Sequence, residues 1–316
     1  MRRILVIKLG ALGDFVLAMG PFAAIRRRHA EARITLLTIA PLRELAEASG
    51  YFDEIWVDER PRPWQPAGWL KLARRLNAGG FERVYDLQTS DRSAAYFHMM
   101  GPLFGGKRPE CSGIARGCSH PHANPDRKVM HTIERQAEQL AMAGIKDVPP
   151  ADLSWARADV SRFNLGGDAG RYALLAPGGS PHRPEKRWPQ DRFSALAARL
   201  MCGGVTPVLL GAAAESEVNA HIRGRCPDAR DLCGETSFID IIALARGAAG
   251  AIGNDTGPMH LIAAAGCPTV VLFSAASDPA RCAPRAPQGA DSVTVMRRDS
   301  LENLTVDEVA SALNLR

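Results

Sequence analysis

Short apolar runs alternate with longer segments of mixed polarity along most of this 316-residue chain. In the first half, the apolar runs predict buried strands, and the segments between them carry apolar residues at helical spacing. The predicted strands span residues 3–8, 34–39, 55–58 and 83–87, and the predicted helices span residues 15–28, 42–49, 69–78 and 131–144. Strands that alternate with helices in this order are typical of a parallel sheet covered by helices.

The same alternation returns in the second half of the chain. Predicted strands span residues 172–176, 206–211, 231–234, 248–252 and 269–273, and predicted helices span residues 190–202, 215–226, 238–246, 261–265 and 302–313. Residues 146–151, which contain Pro149-Pro150, have the composition of a linker. The chain is therefore predicted to be an α/β protein with two domains, residues 1–155 and 156–316. Packing of the last helix on the first domain is left open.

Residues 88–128 interrupt the regular pattern. This segment is rich in glycine and basic in character, with Arg92, Lys107, Arg108 and Arg116 among its cations. A long segment without a predicted helix or strand is often a binding surface. We therefore expect a mobile surface that contacts an anionic ligand.

Composition narrows the class of protein. With 46% hydrophobic and 23% charged residues, the chain is typical of soluble globular proteins. Seven scattered cysteines do not indicate a disulfide framework, and no apolar run is long enough to cross a membrane. Lys8 and Asp14 interrupt any N-terminal signal peptide, so a cytoplasmic protein is expected, at most peripheral to a membrane. The entire net charge of +5 falls within residues 1–155, which indicates either an anionic partner or ordinary surface variation.

The strongest candidate for chemistry is Asp255-Thr256-Gly257, followed by Pro258 and His260. It lies where a predicted strand turns into a helix, and free N–H groups at a helix start favour a bound anion. The Thr256 hydroxyl and His260, in the first helical turn, could donate to the same anion. The alternative is that Asp255 or Thr256 only caps the helix.

A second glycine loop, Gly10-Ala11-Leu12-Gly13, precedes Asp14 after the first predicted strand. Its spacing differs from the dinucleotide fingerprint Gly-x-Gly-x-x-Gly, so a nicotinamide site is not supported. Open α/β sheets bind ligands at the carboxyl ends of their strands, where Asp14 is expected. Asp14 is therefore either a functional carboxylate or an N-cap.

A third loop, Gly178-Gly179-Ser180, follows the first predicted strand of the second domain, and Lys186 follows the loop. Backbone N–H groups, a hydroxyl and an ammonium together suit a diphosphate. A plain turn with a surface lysine is the alternative.

A zinc site is not predicted. Cys111, Cys118, His120 and His122 lie close together in sequence, but the spacing Cys-x6-Cys-x-His-x-His matches none of the compact zinc patterns.

Together these three loops resemble those of glycosyltransferase family 9, the ADP-heptose:lipopolysaccharide heptosyltransferases. The resemblance rests on Ile7 to Asp14, on Pro177 to Ser180 with Lys186-Arg187-Trp188-Pro189, and on Asp255-Thr256-Gly257-x-x-His260. It implies the GT-B fold, with two Rossmann-like domains whose parallel sheets face each other across a cleft.

The resemblance also implies an inverting, metal-independent transfer of a sugar from a nucleotide diphosphate to an acceptor hydroxyl. It assigns Asp14 as the base, with residues 1–155 as the acceptor domain. Ser180, Lys186, Thr256, Gly257 and His260 would hold the diphosphate, with Asp255 near the donor sugar and Glu215 at the ribose. The acceptor would be an anionic glycolipid, contacted by Arg92, Lys107, Arg108 and Arg116. The nucleotide sugar is a substrate, so no cofactor is expected.

Two alternatives remain at this point. A GT-B enzyme could use another nucleotide sugar, because no residue was identified that reads the base. A nucleotide-sugar-binding protein without catalysis could use Asp14 only as a cap. In either case no nucleic-acid partner is expected, and contact with the cytoplasmic face of the inner membrane fits an acceptor of this kind.

Overall fold

A computed structural model describes residues 1–165, 170–287 and 290–316. The chain divides into two compact units, Met1–Ala151 and Asp152–Arg316. The division falls at the end of the proline-containing linker, four residues before the boundary expected from the sequence.

The first unit is built on a six-stranded parallel sheet. Its strands are β1 (Arg3–Ile7), β2 (Arg33–Thr38), β3 (Glu54–Val57), β4 (Arg83–Asp86), β5 (Glu110–Gly113) and β6 (His120–Pro121). Its helices are α1 (Leu12–Val16), α2 (Met19–Arg28), α3 (Arg43–Ala48), α4 (Pro66–Ala78), α5 (Asp91–His98) and α6 (Thr132–Met142). The strand order is β3-β2-β1-β4-β5-β6, so β1 and β4 are neighbours where the order reverses.

The second unit repeats this plan. Its strands are β7 (Arg171–Ala176), β8 (Val205–Leu209), β9 (Arg230–Asp231), β10 (Gly250–Asn254), β11 (Thr269–Phe273) and β12 (Val293–Arg297). Its helices are α7 (Gln190–Cys202), α8 (Ser216–Arg225), α9 (Phe238–Gly247), α10 (Gly257–Ala264), α11 (Pro279–Cys282) and α12 (Val306–Ala312). The order β12-β11-β10-β7-β8-β9 makes β7 and β10 neighbours at the reversal. The predicted α/β class with parallel sheets is therefore confirmed.

Burial on both faces explains why apolar runs identified most of the strands. In β1 the side chains of Ile4, Leu5, Val6 and Ile7 are all at most 1% exposed. Central strands of a parallel sheet are covered by helices on both sides and read as continuous apolar runs. The last helix, α12, places Val309 in the apolar core of the second unit, next to α7.

Residues 88–128 are more regular than the sequence indicated, because this segment contributes α5, β5 and β6 to the first unit. Strand β5 has the sequence Glu-Cys-Ser-Gly and pairs with β4, while β6 is only two residues long. Neither carries an apolar run, so hydrophobic patterning could not detect them. Strand β12 was also missed, and three of its five residues are exposed while none is fully buried.

The single helix predicted over residues 15–28 is two helices, α1 and α2. Pro21 lies in the first turn of α2, where its missing N–H is tolerated. A continuous helix would instead need that N–H to bond the carbonyl of Leu17. The break therefore follows from Pro21.

Candidate functional site

Three loops of the second unit leave neighbouring strands at one edge of the sheet. Ala176 at the end of β7 pairs with Gly253 in β10, and Leu175 pairs with Leu209 at the end of β8. The loops that follow β7, β10 and β8 therefore emerge side by side at the carboxyl ends of the strands. This edge, where the strand order reverses, is where open α/β sheets form ligand sites.

The amide of Asn254 joins two of these loops to the segment before α7. Its Nδ2 donates to the carbonyls of Pro177 and Gly178 at 2.8 and 3.0 Å, and its Oδ1 accepts from the Trp188 N–H at 2.9 Å. The side chain is fully buried at the last position of β10. Sequence reasoning missed Asn254, although a polar residue ending an apolar strand, directly before the candidate motif, was a usable signal.

Lys186 and Asp255 meet at this edge. The Lys186 Nζ donates to Asp255 Oδ2 at 2.7 Å, and the Ser277 hydroxyl donates to the same oxygen at 2.7 Å. The two charged side chains are 16% and 9% exposed. An ammonium has three N–H donors, so Lys186 retains donors for a further anion while Asp255 holds it in place.

Glu215 braces the glycine loop after β7. Its Oε1 accepts from the Gly179 N–H at 2.6 Å, and its Oε2 accepts from the Ala212 N–H at 2.8 Å. A Cβ at Gly178 would overlap the Glu215 carboxylate, so this position has no room for a side chain. The Gly179 N–H, expected to face a phosphate, is thus already bonded to Glu215.

Helix α10 begins at Gly257, so the strand-to-helix turn lies where the sequence predicted it. Thr256 occupies the N-cap position in extended backbone, but its side chain makes no capping hydrogen bond. The carboxylate of Asp255 is bonded to Lys186 and Ser277, so neither side chain acts as the simple cap considered above. His260 follows within the first turns of α10 and is 5% exposed.

In the first unit, Asp14 lies in the first turn of α1 and is half-buried. Ala11 is the N-cap residue of this helix, so Asp14 is not the N-cap. Helix α1 follows β1 directly, which places Asp14 at the carboxyl edge of the first sheet, as predicted.

Two buried ionisable side chains, Lys8 and Asp86, lie near Asp14 in the first unit. Lys8, 2% exposed, donates from Nζ to the Leu87 carbonyl at 3.2 Å. Burial lowers the pKa of Lys8, whereas the charges of Asp14 and Asp86 raise it. Burial also raises the pKa of Asp86 to about 6, although its Oδ1 accepts from the N–H groups of Gln88 and Thr89.

The four cations expected at the acceptor fall at two different edges of the sheet. Arg92 is in the first turn of α5, after β4, and Arg116 follows β5, so both lie at the carboxyl edge with Asp14. Arg92 donates to the Pro61 carbonyl at 3.3 Å and to the Tyr96 hydroxyl at 3.1 Å. Lys107 and Arg108 precede β5, so the structure places them at the opposite, amino edge.

The Cys111 and Cys118 sulfurs are 2.6 Å apart as free thiols, and the His122 side chain is buried. Across residues 1–165, 170–287 and 290–316, no group of three or more His, Cys, Asp or Glu side chains is arranged to hold a metal ion. Among the same residues, no helix has both the length and the apolar character needed to cross a membrane.

Residues 69–304 match the family model of glycosyltransferase family 9 (heptosyltransferase). Lipopolysaccharide heptosyltransferase 2 of Escherichia coli K12 is 25% identical over 312 residues, covering 87% of this chain and 83% of that protein.

Solved structures share the fold. Escherichia coli ADP-heptose lps heptosyltransferase II aligns with a TM-score of 0.78 at 22% identity, covering 99% of this chain and 97% of that one. A glycosyl transferase family 9 protein of Veillonella parvula aligns with a TM-score of 0.79 at 21% identity over 98% and 95% of the two chains. Escherichia coli heptosyltransferase WaaC, solved with ADP, aligns with a TM-score of 0.73 at 19% identity over 98% of both.

Proposed function

Because this chain belongs to glycosyltransferase family 9 and is a glycosyltransferase, we propose that it transfers a heptose from an ADP-sugar to a lipopolysaccharide-core-type acceptor. The transfer inverts the anomeric carbon and needs neither a metal nor a cofactor. The donor is held by the second unit, and Asp14 of the first unit is the base.

The observation that carries this proposal is the ion pair between Lys186 and Asp255 just before α10, in which Nζ and Oδ2 are 2.7 Å apart. Around this pair the turn after β10, which carries Thr256 and Gly257, lies beside the loop that ends in Ser180. Hydrogen-bond donors that point at the departing diphosphate stabilise its negative charge. In other transferases a metal ion provides this stabilisation. His260 follows in α10, where its buried ring supports the same turn or contacts the donor.

Glu215 has a structural part in addition to its expected position at the ribose. Since both of its oxygens accept backbone N–H groups, we propose that it shapes the donor site through Gly179, and that any ribose contact uses its remaining lone pairs.

In the proposed reaction, the acceptor hydroxyl attacks the anomeric carbon from the side opposite the diphosphate. Its proton passes to the Asp14 carboxylate, the new glycosidic bond forms, and the bond from the anomeric carbon to the diphosphate oxygen breaks. ADP leaves with the bonding electron pair. A positioned base is needed because a sugar hydroxyl is a weak nucleophile.

Support for the donor and acceptor comes from relatives. The similar Escherichia coli and Salmonella typhimurium proteins are named lipopolysaccharide heptosyltransferases. A protein of the same fold was solved with ADP-2-deoxy-2-fluoro heptose. Arg92 and Arg116 supply positive charge on the Asp14 edge of the first sheet, which suits an anionic glycolipid. We propose that the enzyme meets this acceptor at the cytoplasmic face of the inner membrane.

The test is a panel of ADP-, UDP-, GDP- and CDP-sugars, scored by calorimetric affinity and by transfer in the presence of a chelator. We expect ADP-heptose to bind most tightly, transfer to survive chelation, and the product linkage to have inverted configuration by NMR. Preference for another nucleotide would support the alternative of a different donor. Loss of transfer on chelation, restored by a divalent ion, would contradict the metal-independent mechanism.

A further inference from the structure

A cavity of about 500 Å³ lies at the amino edge of the first sheet, opposite the edge that carries Asp14. It forms where β1, β4 and β5 begin, and four basic residues line it: Arg2, Arg83, Lys107 and Arg108. Two carboxylates, Glu82 and Glu110, also line it. Cations therefore outnumber carboxylates around a space large enough for a small polar group.

The two carboxylates are already engaged. Glu110 is bonded to Arg83, and Glu82 lies 3.7 Å from Arg2. Within the part of the chain that the structure describes, Lys107 and Arg108 have no carboxylate at ion-pair distance. His29 also lines the cavity, and its pKa is lowered to about 4 mainly by burial and in addition by nearby arginines, among them Arg83 and Arg2. The cavity is thus an electropositive environment that favours an anion.

An apolar tip stands next to this cavity. Residues 101–106 connect α5 to the basic pair, and Leu103 and Phe104 in this loop are 90% and 39% exposed. Transfer of such an exposed leucine side chain from water into an apolar medium is favourable.

The loop is nevertheless held firmly at its base. The Asn77 Oδ1 accepts from the Gly101 N–H at 2.9 Å, and the Gly106 N–H donates to the Gly101 carbonyl at 3.1 Å. The Asn77 Nδ2 donates to the Ala73 and Met99 carbonyls at 2.7 and 2.9 Å, which fixes the amide on α4. The apolar tip is therefore presented to solvent by an anchored loop.

We propose that residues 101–108 form a docking surface for an anionic phospholipid bilayer. The lipid phosphate occupies the mouth of the cavity beside Lys107 and Arg108, and Leu103 enters the acyl chains with Phe104 at the interface. Each Lys or Arg near an anionic membrane adds a modest attraction, so one or two apolar side chains and two cations together give reversible binding. This inference does not depend on the transfer reaction, because the surface and Asp14 lie at opposite ends of the strands.

The experiment is flotation of the full chain with vesicles of phosphatidylcholine containing phosphatidylglycerol, and with phosphatidylcholine alone, at low and high salt. We expect binding to the anionic vesicles that weakens as salt rises, because the attraction is screened within about 10 Å at 0.1 M salt. The test variant Leu103→Ser/Lys107→Gln should lower vesicle affinity at least tenfold. The matched control is Lys128→Gln/Val129→Ser, which removes one exposed cation and one apolar side chain (Val129, 68% exposed) elsewhere in the same unit. The control should bind vesicles as the parent does.

Several outcomes would overturn the proposal. The first is that the parent protein does not bind anionic vesicles. The second is that the test and control variants lose the same amount of vesicle affinity. The third is that the parent protein binds soluble glycerol phosphate but not vesicles. Self-association of the parent and of Leu103→Ser is measured by ultracentrifugation. If Leu103→Ser loses self-association but binds vesicles as the parent does, the apolar tip contacts a second copy of the chain instead of a membrane. Transfer by Leu103→Ser to a water-soluble acceptor should equal that of the parent, so a failed docking test would leave the proposed reaction standing.

Discussion

At the scale of single residues, the charged groups of the two units differ in how firmly they are held. Lys186 and Asp255 form a short, largely buried ion pair, whereas Asp14 is half-buried at the start of a short helix. A group that binds the donor gains from a fixed position, and a base must remain reachable by the acceptor hydroxyl.

Replacing Asp14 by Asn tests the base directly. Asn cannot take a proton, so the transfer rate should fall by about 10²–10⁴ while donor affinity stays the same. Because Asp14 is in the first turn and not at the N-cap, the cost to stability should be only about 0.3–1 kcal/mol of helix-dipole interaction. Transfer rate and calorimetric donor affinity should be measured on one preparation. Normal turnover would remove Asp14 as the base, and an equal loss of donor affinity would make it a binding residue.

Replacing Lys186 by Ala should weaken donor binding about 10- to 100-fold, because charge-assisted hydrogen bonds to the diphosphate are lost. The same change leaves the Asp255 carboxylate without its cation, and this unpaired negative charge would by itself repel the diphosphate of the donor. The double variant Lys186→Ala/Asp255→Asn separates the two causes when both are titrated with ADP by calorimetry. Recovery of affinity in the double variant would show that Lys186 only neutralises Asp255.

At the scale of elements, the donor site depends on loops that are braced by side chains from other elements. Glu215 and Asn254 fasten the loop after β7 from two sides, one through the Gly179 N–H and one through the Pro177 and Gly178 carbonyls. The loop conformation is therefore a product of three strands and not of its own sequence.

Two adjacent glycines provide a matched test of this bracing. A Cβ at Gly178 would overlap the Glu215 carboxylate, whereas a Cβ at Gly179 would meet its nearest neighbour, Thr256 Cγ2, at an ordinary 3.5 Å. Gly178→Ala should displace Glu215, break its bond to Gly179 and lower donor affinity about tenfold or more. Gly179→Ala should bind the donor as the parent does. Equal affinities for the two variants, measured by calorimetry, would show that the brace is not needed for binding.

At the scale of the whole molecule, acid stability should depend on the first unit. Burial lowers the pKa of His29, 8% exposed, from 6.5 to about 4, with help from nearby arginines. Between these values the unfolded chain binds the additional proton, so the free energy of unfolding falls as the pH drops from about 6.5 to 4.

His29→Gln removes this titration and can still hydrogen-bond the Tyr85 hydroxyl, which lies 2.8 Å from the His29 Nε2. Between pH 7.5 and 4.5 the parent should lose up to about 3 kcal/mol more unfolding free energy than His29→Gln. Denaturant unfolding followed by circular dichroism measures this difference. His98→Gln, at an exposed position, is the control and should behave as the parent does. Identical pH dependence in His29→Gln would show that other groups govern acid stability.

Much of this protein is determined by its local sequence. Continuous apolar runs specified the buried strands β1, β2, β7 and β11, because central parallel strands bury both faces. Glycine and proline at the start of α10 specified its turn, since their backbone preferences act within a few residues. Those local signals also placed Asp14, Thr256 and Gly257 at the carboxyl edges of their sheets.

Only the tertiary structure decided which side chains meet. Lys186 and Asp255 are 69 residues apart, and Lys8 and Leu87 are 79 apart, so their contacts exist only after neighbouring strands pair. The strands β5 and β6 carry too little apolar surface to be seen in sequence, yet they determine that Lys107 and Arg108 lie at the edge opposite Asp14. Apolar periodicity acts along the chain and reveals elements. Hydrogen bonds and ion pairs between side chains form across the sheet, between residues that only the packing of those elements brings together.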